Sequence, residues 1–182
     1  MQTIKFKLAN SIKTLMKTSP LDKITVTDIV KEAHCTRQTF YRHFVDKYDL
    51  VNWYFEELVM QSFKEMGLSK TLYEGLVKKF NFIEQEYNFF YEAFSSNDAN
   101  SLVQYDYETI LDFYTKIIEK KTHIPLDNQT TFLLKMYCRG SIDMTVDWVK
   151  NGMKLPPKEI AALLIQALPE PLKEDLSILK LK

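Results

Sequence analysis

Glycine and proline are scarce in this 182-residue chain, at 4 and 6 residues, so it has few of the tight turns that a β-sandwich or barrel requires. That scarcity favours helices. Cysteine occurs only as Cys35 and Cys138, in no metal or redox spacing, which excludes a disulfide scaffold and leaves reduced cytosolic thiols as the default. Histidine is limited to His34, His43 and His123, and no third ligand stands at a spacing that would make His34-Cys35 a metal pair. No apolar run approaches the roughly 20 residues that cross a bilayer, and lysines interrupt the apolar N-terminal stretch, so neither a membrane span nor a secretion signal is expected. There is no P-loop, nucleophile elbow or paired acid and base at a recognisable spacing, and no enzyme, cofactor or metal centre is expected.

Net charge is also absent, with 24 basic and 24 acidic side chains. The balance is nevertheless uneven along the chain. Residues 1–50 hold nine Lys and Arg against five acids, leaving fifteen against nineteen for the remainder. A basic head on an acidic body suits a protein that offers one end to phosphate, although chance unevenness gives the same count.

What is present is helical periodicity. Ile4, Leu8, Ile12, Leu15 and Met16 form one apolar face that stops at Ser19-Pro20. Thr25 followed by Asp28 reads as a capping box, with Asp in place of the usual Glu, opening a helix through Ala33. After His34, Cys35 and Thr36, a second short helix places Phe40 and Phe44 on one face, and two short helices so closely joined must cross steeply, as in a helix-turn-helix. A long helix then runs from Asp46-Lys47 to about Met66, ending at Gly67. Further helices are predicted near 70–86, 88–95, 99–121, 128–151 and 157–168, with a short helix or a disordered tail after Pro171. The fold class is therefore all-α: a three-helix head over residues 1–46 and a helical body over 47–182.

Residues 24–50, ITVTDIVKEAHCTRQTFYRHFVDKYDL, resemble the signature of the TetR family, in which a capped helix leads through a tight turn to a recognition helix reading T-F-Y-x-H-F, followed by an acidic residue and lysine. The resemblance implies a cytoplasmic transcription regulator that binds a palindromic double-stranded operator as a homodimer, its DNA affinity modulated through the body by a small-molecule effector or a ligand-sensing partner protein. Arg37, Gln38 and Thr39 stand at the end of the recognition helix that reads base edges, where Arg suits guanine, Gln suits adenine, and Thr bonds a base or touches a thymine methyl. Thr27, Tyr41, His43 and Lys47 match the positions that contact phosphate. The turn departs from the pattern: His34 stands where glycine is usual, and a positive φ there is awkward for most side chains.

The same resemblance implies that the last long helices pair with their symmetry mates. Residues 128–151 carry apolar stripes on two sides, and Gly140, Met144, Trp148, Ile160, Leu163, Leu164 and Ala167 are the expected dimer contacts; the competing reading places both stripes in the protomer core. The aromatic-rich middle, from Phe80 to Tyr114, serves equally as core or as the lining of an effector site. The Arg37–Tyr41 start and the run Lys47–Trp53 are similar to a branch that includes activators of dihydroxyacetone kinase operons, which work with a ligand-sensing partner. A protein-interaction adaptor that reuses the helix-turn-helix without binding DNA is the alternative.

Overall fold

The computed structural model describes residues 3–66 and 71–177, and the described residues contain helices and no strand. In chain order these are α1 (Ile4–Met16), a 3₁₀ turn (Leu21–Lys23), α2 (Val26–Glu32), α3 (Arg37–Tyr41), α4 (Lys47–Met66), α5 (Leu72–Gln85), α6 (Tyr87–Ser95), α7 (Leu102–Thr122), α8 (Asn128–Lys150), α9 (Pro157–Gln166) and α10 (Glu170–Ser177). The predicted end of α4 at Gly67 lies outside the described residues. The segment after Pro169 is the short helix α10, held by burial of Leu172 and Leu176.

The chain forms two compact units, one of residues 1–58 with 86–105, the other of residues 59–85 with 106–182. The first is thus wider than residues 1–46, because α6 and the loop after it return to grip the N-terminal helices. Lys13 on α1 bonds Glu86 at 2.6 Å and the Tyr54 hydroxyl at 2.8 Å. Burial alone would lower the pKa of that ammonium, and these two partners more than reverse the effect. Farther along, the Leu21 amide donates to Glu92 at 3.3 Å, and Asp22 accepts from Ser96 Oγ at 2.5 Å and from Tyr48 at 3.2 Å. Beneath these bonds Leu8, Ile12, Ile29, Phe40, Leu50, Phe55 and Phe90 are fully buried.

The second unit packs α5 against α9, with α10 on α5 and α8. Phe80 and Trp148 meet edge to face at 5.3 Å, and the Tyr137 hydroxyl donates to the Leu164 carbonyl at 3.1 Å. Inside this apolar core lies an ion pair, Lys79 with Asp106 at 3.3 Å, whose side chains are only 6% and 2% exposed. Burial pushes the Asp106 carboxyl above its usual value even though Lys79 pulls the other way. The α8–α9 joint turns through Gly152 and Met153, both at positive φ, and the Trp148 indole closes it by donating to the Leu155 carbonyl at 2.8 Å.

The aromatic-rich middle is divided between the two units, and much of it is core. Phe80, Phe89, Phe90, Phe94, Tyr107 and Tyr114 are buried, whereas Tyr87 and Tyr91 are exposed.

Candidate nucleic-acid interface

The two short helices of the head are fixed by their caps. Thr25 Oγ1 accepts from the Asp28 amide at 3.2 Å while the Asp28 carboxylate accepts from the Thr25 amide at 2.9 Å, so the box closes with the shorter acid. At its far end α2 stops in a Schellman motif: the Cys35 amide donates to the Val30 carbonyl at 2.9 Å and the His34 amide to that of Lys31 at 3.1 Å. That geometry needs a left-handed residue between them, and His34 supplies it at φ 47°. The turn therefore keeps the shape glycine would give it, in a region where an L side chain costs about 1–2 kcal/mol.

Thr36 then caps α3, its hydroxyl accepting from the Thr39 amide at 3.1 Å. The buried side of this segment is Phe40 on α3 and Phe44 three residues beyond its end, so the two rings do not share one helix as predicted; they pack on each other at 5.8 Å, with Phe44 against Trp53 at 5.6 Å. Ile29 and Val30 are buried with them, and Leu15 is half-buried. Arg37 and Gln38 at the start of α3 are both exposed, with the Arg37 guanidinium 5.9 Å over the ring of Tyr41, which is itself half out of the surface. Thr39 is less available than its neighbours: it is half-buried, and its hydroxyl lies 2.9 Å from that of Thr36 within the cap. Thr27 on α2 is exposed and His43 half-buried.

Lys47, an expected phosphate contact, is held within the chain. Its ammonium donates to the carbonyls of Leu21 and Asp22 at 2.8 Å and of Ile24 at 2.9 Å, so all three of its protons are engaged within the chain. Burial draws its pKa down, against the opposing pull of Asp22, Asp98 and Asp46. Sequence spacing could not show this, because the carbonyls it holds belong to a turn more than twenty residues earlier.

The expected dimer contacts fall into two groups. Gly140, Met144, Leu163 and Ala167 are exposed, whereas Trp148, Ile160 and Leu164 are only 6%, 4% and 6% exposed and belong chiefly to the protomer's own core. The exposed apolar row on α8 is Phe132, Met136, Gly140 and Met144, and Phe132 was not among the expected contacts.

Two stretches of the chain each match a family description. "Bacterial regulatory proteins, tetR family" covers residues 12–53, and "Transcriptional regulator C-terminal region", of TetR type, covers residues 70–170. The chain belongs to the TetR family. Among curated relatives, this TetR-family chain is 39% identical over 49 residues to the HTH-type dhaKLM operon transcriptional activator DhaS of Lactococcus lactis, an alignment spanning 27% of this chain and 26% of that protein. Among solved structures, the dihydroxyacetone kinase operon activator DhaS superposes with a TM-score of 0.68 at 17% identity, covering 96% of this chain and 98% of that one. FadR of Bacillus subtilis, solved in complex with stearoyl-CoA, gives 0.62 at 18% identity, covering 91% and 97%. At such identities the likeness of the solved structures speaks for the fold. Among the described residues, no helix is long and apolar enough to cross a membrane.

Proposed function

We propose that this TetR-family regulator binds a palindromic DNA operator in the cytoplasm as a homodimer, α3 lying in the major groove. The observation that carries the reading is the two-sidedness of α3 and the turn after it: Phe40 and Phe44 are 0% and 3% exposed, while Arg37 and Gln38 at the start of the helix are exposed. A groove about 12 Å wide admits a helix, and the first turn of a recognition helix is the part that reaches base edges. Arg37 and Gln38 read bases, with Thr39 beside them contributing chiefly its methyl group. Thr27, Tyr41 and His43 contact phosphate. Lys47 serves the interface indirectly, by holding the turn that precedes α2. The exposed row on α8, continued by Leu163 and Ala167 on α9, supports pairing with a second copy. The body takes a small-molecule effector or a ligand-sensing partner protein.

Fluorescence anisotropy with mixed-sequence duplex DNA, titrated across salt, tests the central point. Binding at low salt that falls steeply as salt rises is the expected result, because neutralised phosphates release counterions. A chain with no affinity for duplex DNA at any salt is the adaptor, and the reading fails.

A further inference from the structure

Within the first compact unit, the first half of α4 walls one side of a cavity of about 360 Å³. Asp46, Asp49, Asn52 and Glu56 line it with polar groups, and Val45 and Trp53 with apolar ones. Asp49, Asn52 and Glu56 follow one another at intervals of three and four residues, so they fall on one face of the helix. The acids at the two ends of that row stand about 10 Å apart along the axis.

Each carboxylate is oriented by the fold through one oxygen. Asp46 accepts from the Asp49 amide at 2.8 Å, Asp49 from the Val45 amide at 2.8 Å, and Glu56 from the Tyr105 hydroxyl. None of the described lining residues is basic. Lys47 is engaged by three backbone carbonyls, and Lys5 lies over the rings of Phe44 and Trp53.

Between the acids stands an unmet acceptor. The Asn52 side-chain nitrogen donates to the Asn100 carbonyl at 3.2 Å, whereas its Oδ1, shut off from solvent, has no hydrogen-bond partner among the described residues. A buried acceptor without a donor is uncommon in folded proteins and calls for one.

We propose that this cavity binds a short linear polyamine. One terminal ammonium sits between Asp46 and Asp49, the other at Glu56, and a nitrogen between them donates to Asn52 Oδ1. The Asn52 amide turns toward that donor about its broad outer torsion. The methylene segments lie against Trp53 and Val45. A single ammonium, such as that of a lysine side chain, answers only one end of the row, whereas an amine spanning about 10 Å answers both. Charge-assisted hydrogen bonds at the two ends supply the strength, and the apolar walls suit the chain between them. The site opens one residue after Phe44, at the joint of α3 and α4, and belongs to the head; the effector proposed above belongs to the body. The inference does not depend on the DNA-binding reading.

Isothermal titration calorimetry of the full chain with spermidine, without DNA and at physiological ionic strength, tests it. Saturable binding of one spermidine per chain is the expected result. Ethylenediamine, too short to reach from Asp49 to Glu56, should bind at least about tenfold more weakly. Asp49→Asn and Glu56→Gln each keep an acceptor for their own hydrogen bond while removing a charge, and each should raise the dissociation constant about ten- to a hundredfold. Asn52→Leu removes the unmet acceptor at similar size and should raise it as well. Asp112→Asn, at an exposed acid on α7, removes the same charge and should change nothing. Circular dichroism checks the fold of each variant. Because Glu56 is exposed, Glu56→Gln decides alone if Asp49→Asn or Asn52→Leu fails to fold. No saturable binding, equal affinity for ethylenediamine, or a loss in Glu56→Gln no larger than in Asp112→Asn overturns the proposal.

Discussion

The Lys47 ammonium lies 2.8 Å from the carbonyl oxygen of Leu21, and with the neighbouring carbonyls of Asp22 and Ile24 it ties the start of α4 to the turn that delivers the chain into α2. Lys47→Ala leaves three carbonyls without their charged donor, a loss of about 1–3 kcal/mol. Thermal unfolding should register it as a drop of several degrees. The slope of log affinity against log salt should stay at the wild-type value, as expected for a group that positions the head. A slope flattened by about one unit per subunit would mean that the ammonium neutralises phosphate instead.

Arg37 is the residue on which sequence discrimination should depend. Arg37→Ala should cost about 1–3 kcal/mol on the operator if the guanidinium grips a guanine edge, and much less on random DNA. Tyr41→Phe removes only a hydroxyl and should weaken both mildly and alike. The ratio of operator to random affinity, measured at matched salt, separates the two roles. Equal losses for Arg37→Ala on both DNAs would remove it from base reading.

His34→Gly should stabilise the protein. Relief of the left-handed strain is worth about 1–2 kcal/mol, and the extra freedom of glycine in the unfolded chain returns about 0.5–1 of it. A net gain of about 0.5–1 kcal/mol should raise the melting temperature by about 1–4 °C in a chain of this size. An unchanged or lower melting temperature would mean that the imidazole makes a compensating contact.

The head also shows what the sequence could convey. The capping box at Thr25, the positive φ at His34 and the buried pair Phe40 and Phe44 were legible because each depends on residues within a few positions of one another, where spacing and stereochemistry suffice. The occupation of Lys47 was not, since its partners are brought to it by the path of the whole head. The same holds for α6, whose grip through Glu86, Glu92 and Ser96 carries the first compact unit well past residue 46. On α8 the period was legible but its phase was not. Trp148 looked equally suited to core or interface, and it is the ring of Phe80 and the carbonyl of Leu155 that hold it inward.

The buried pair should behave asymmetrically. Asp106→Leu alone strands the Lys79 ammonium in the core, at a cost of about 3–5 kcal/mol. Adding Lys79→Met should recover most of that loss, since replacing both charges with apolar groups of similar size is often neutral or favourable. Chemical denaturation of the four proteins of this cycle gives the coupling. A double variant as unstable as Asp106→Leu would show that the charges hold the fold by some further contact.

Acid should remove the contribution of Asp22. The Ser96 hydroxyl bond, with those from Asn97 and Tyr48, holds its carboxyl below the ordinary 3.8. The folded state therefore binds this proton less readily than the unfolded chain. The increment is fully present above about 3.8 and is lost as pH falls through that value toward the lower folded one. Asp22→Asn should accordingly be less stable than wild type at neutral pH, and the gap should close on acidification. A gap that persists unchanged below pH 3 would assign it to packing instead.

Neighbouring leucines on α9 should separate folding from assembly. Leu164 is 6% exposed and Leu163 is 50% exposed. Leu164→Asp buries a charge in the protomer core and should unfold the chain, seen as lost helical circular dichroism. Leu163→Asp should keep that signal while shifting sedimentation toward monomer. Loss of fold in both variants would place Leu163 in the core.

The chain's two tryptophans are divided between its compact units. Trp53 lies against Phe6 and Phe44 with the Lys5 ammonium 5.2 Å from its ring, while Trp148 lies against Phe80 at the groove between α8 and α9. Each unit thus carries a native fluorophore, one behind α3 and one beside the exposed row of α8. A single Trp→Phe replacement in either silences one signal, so emission from an unlabelled protein can follow DNA engagement and self-association as separate events.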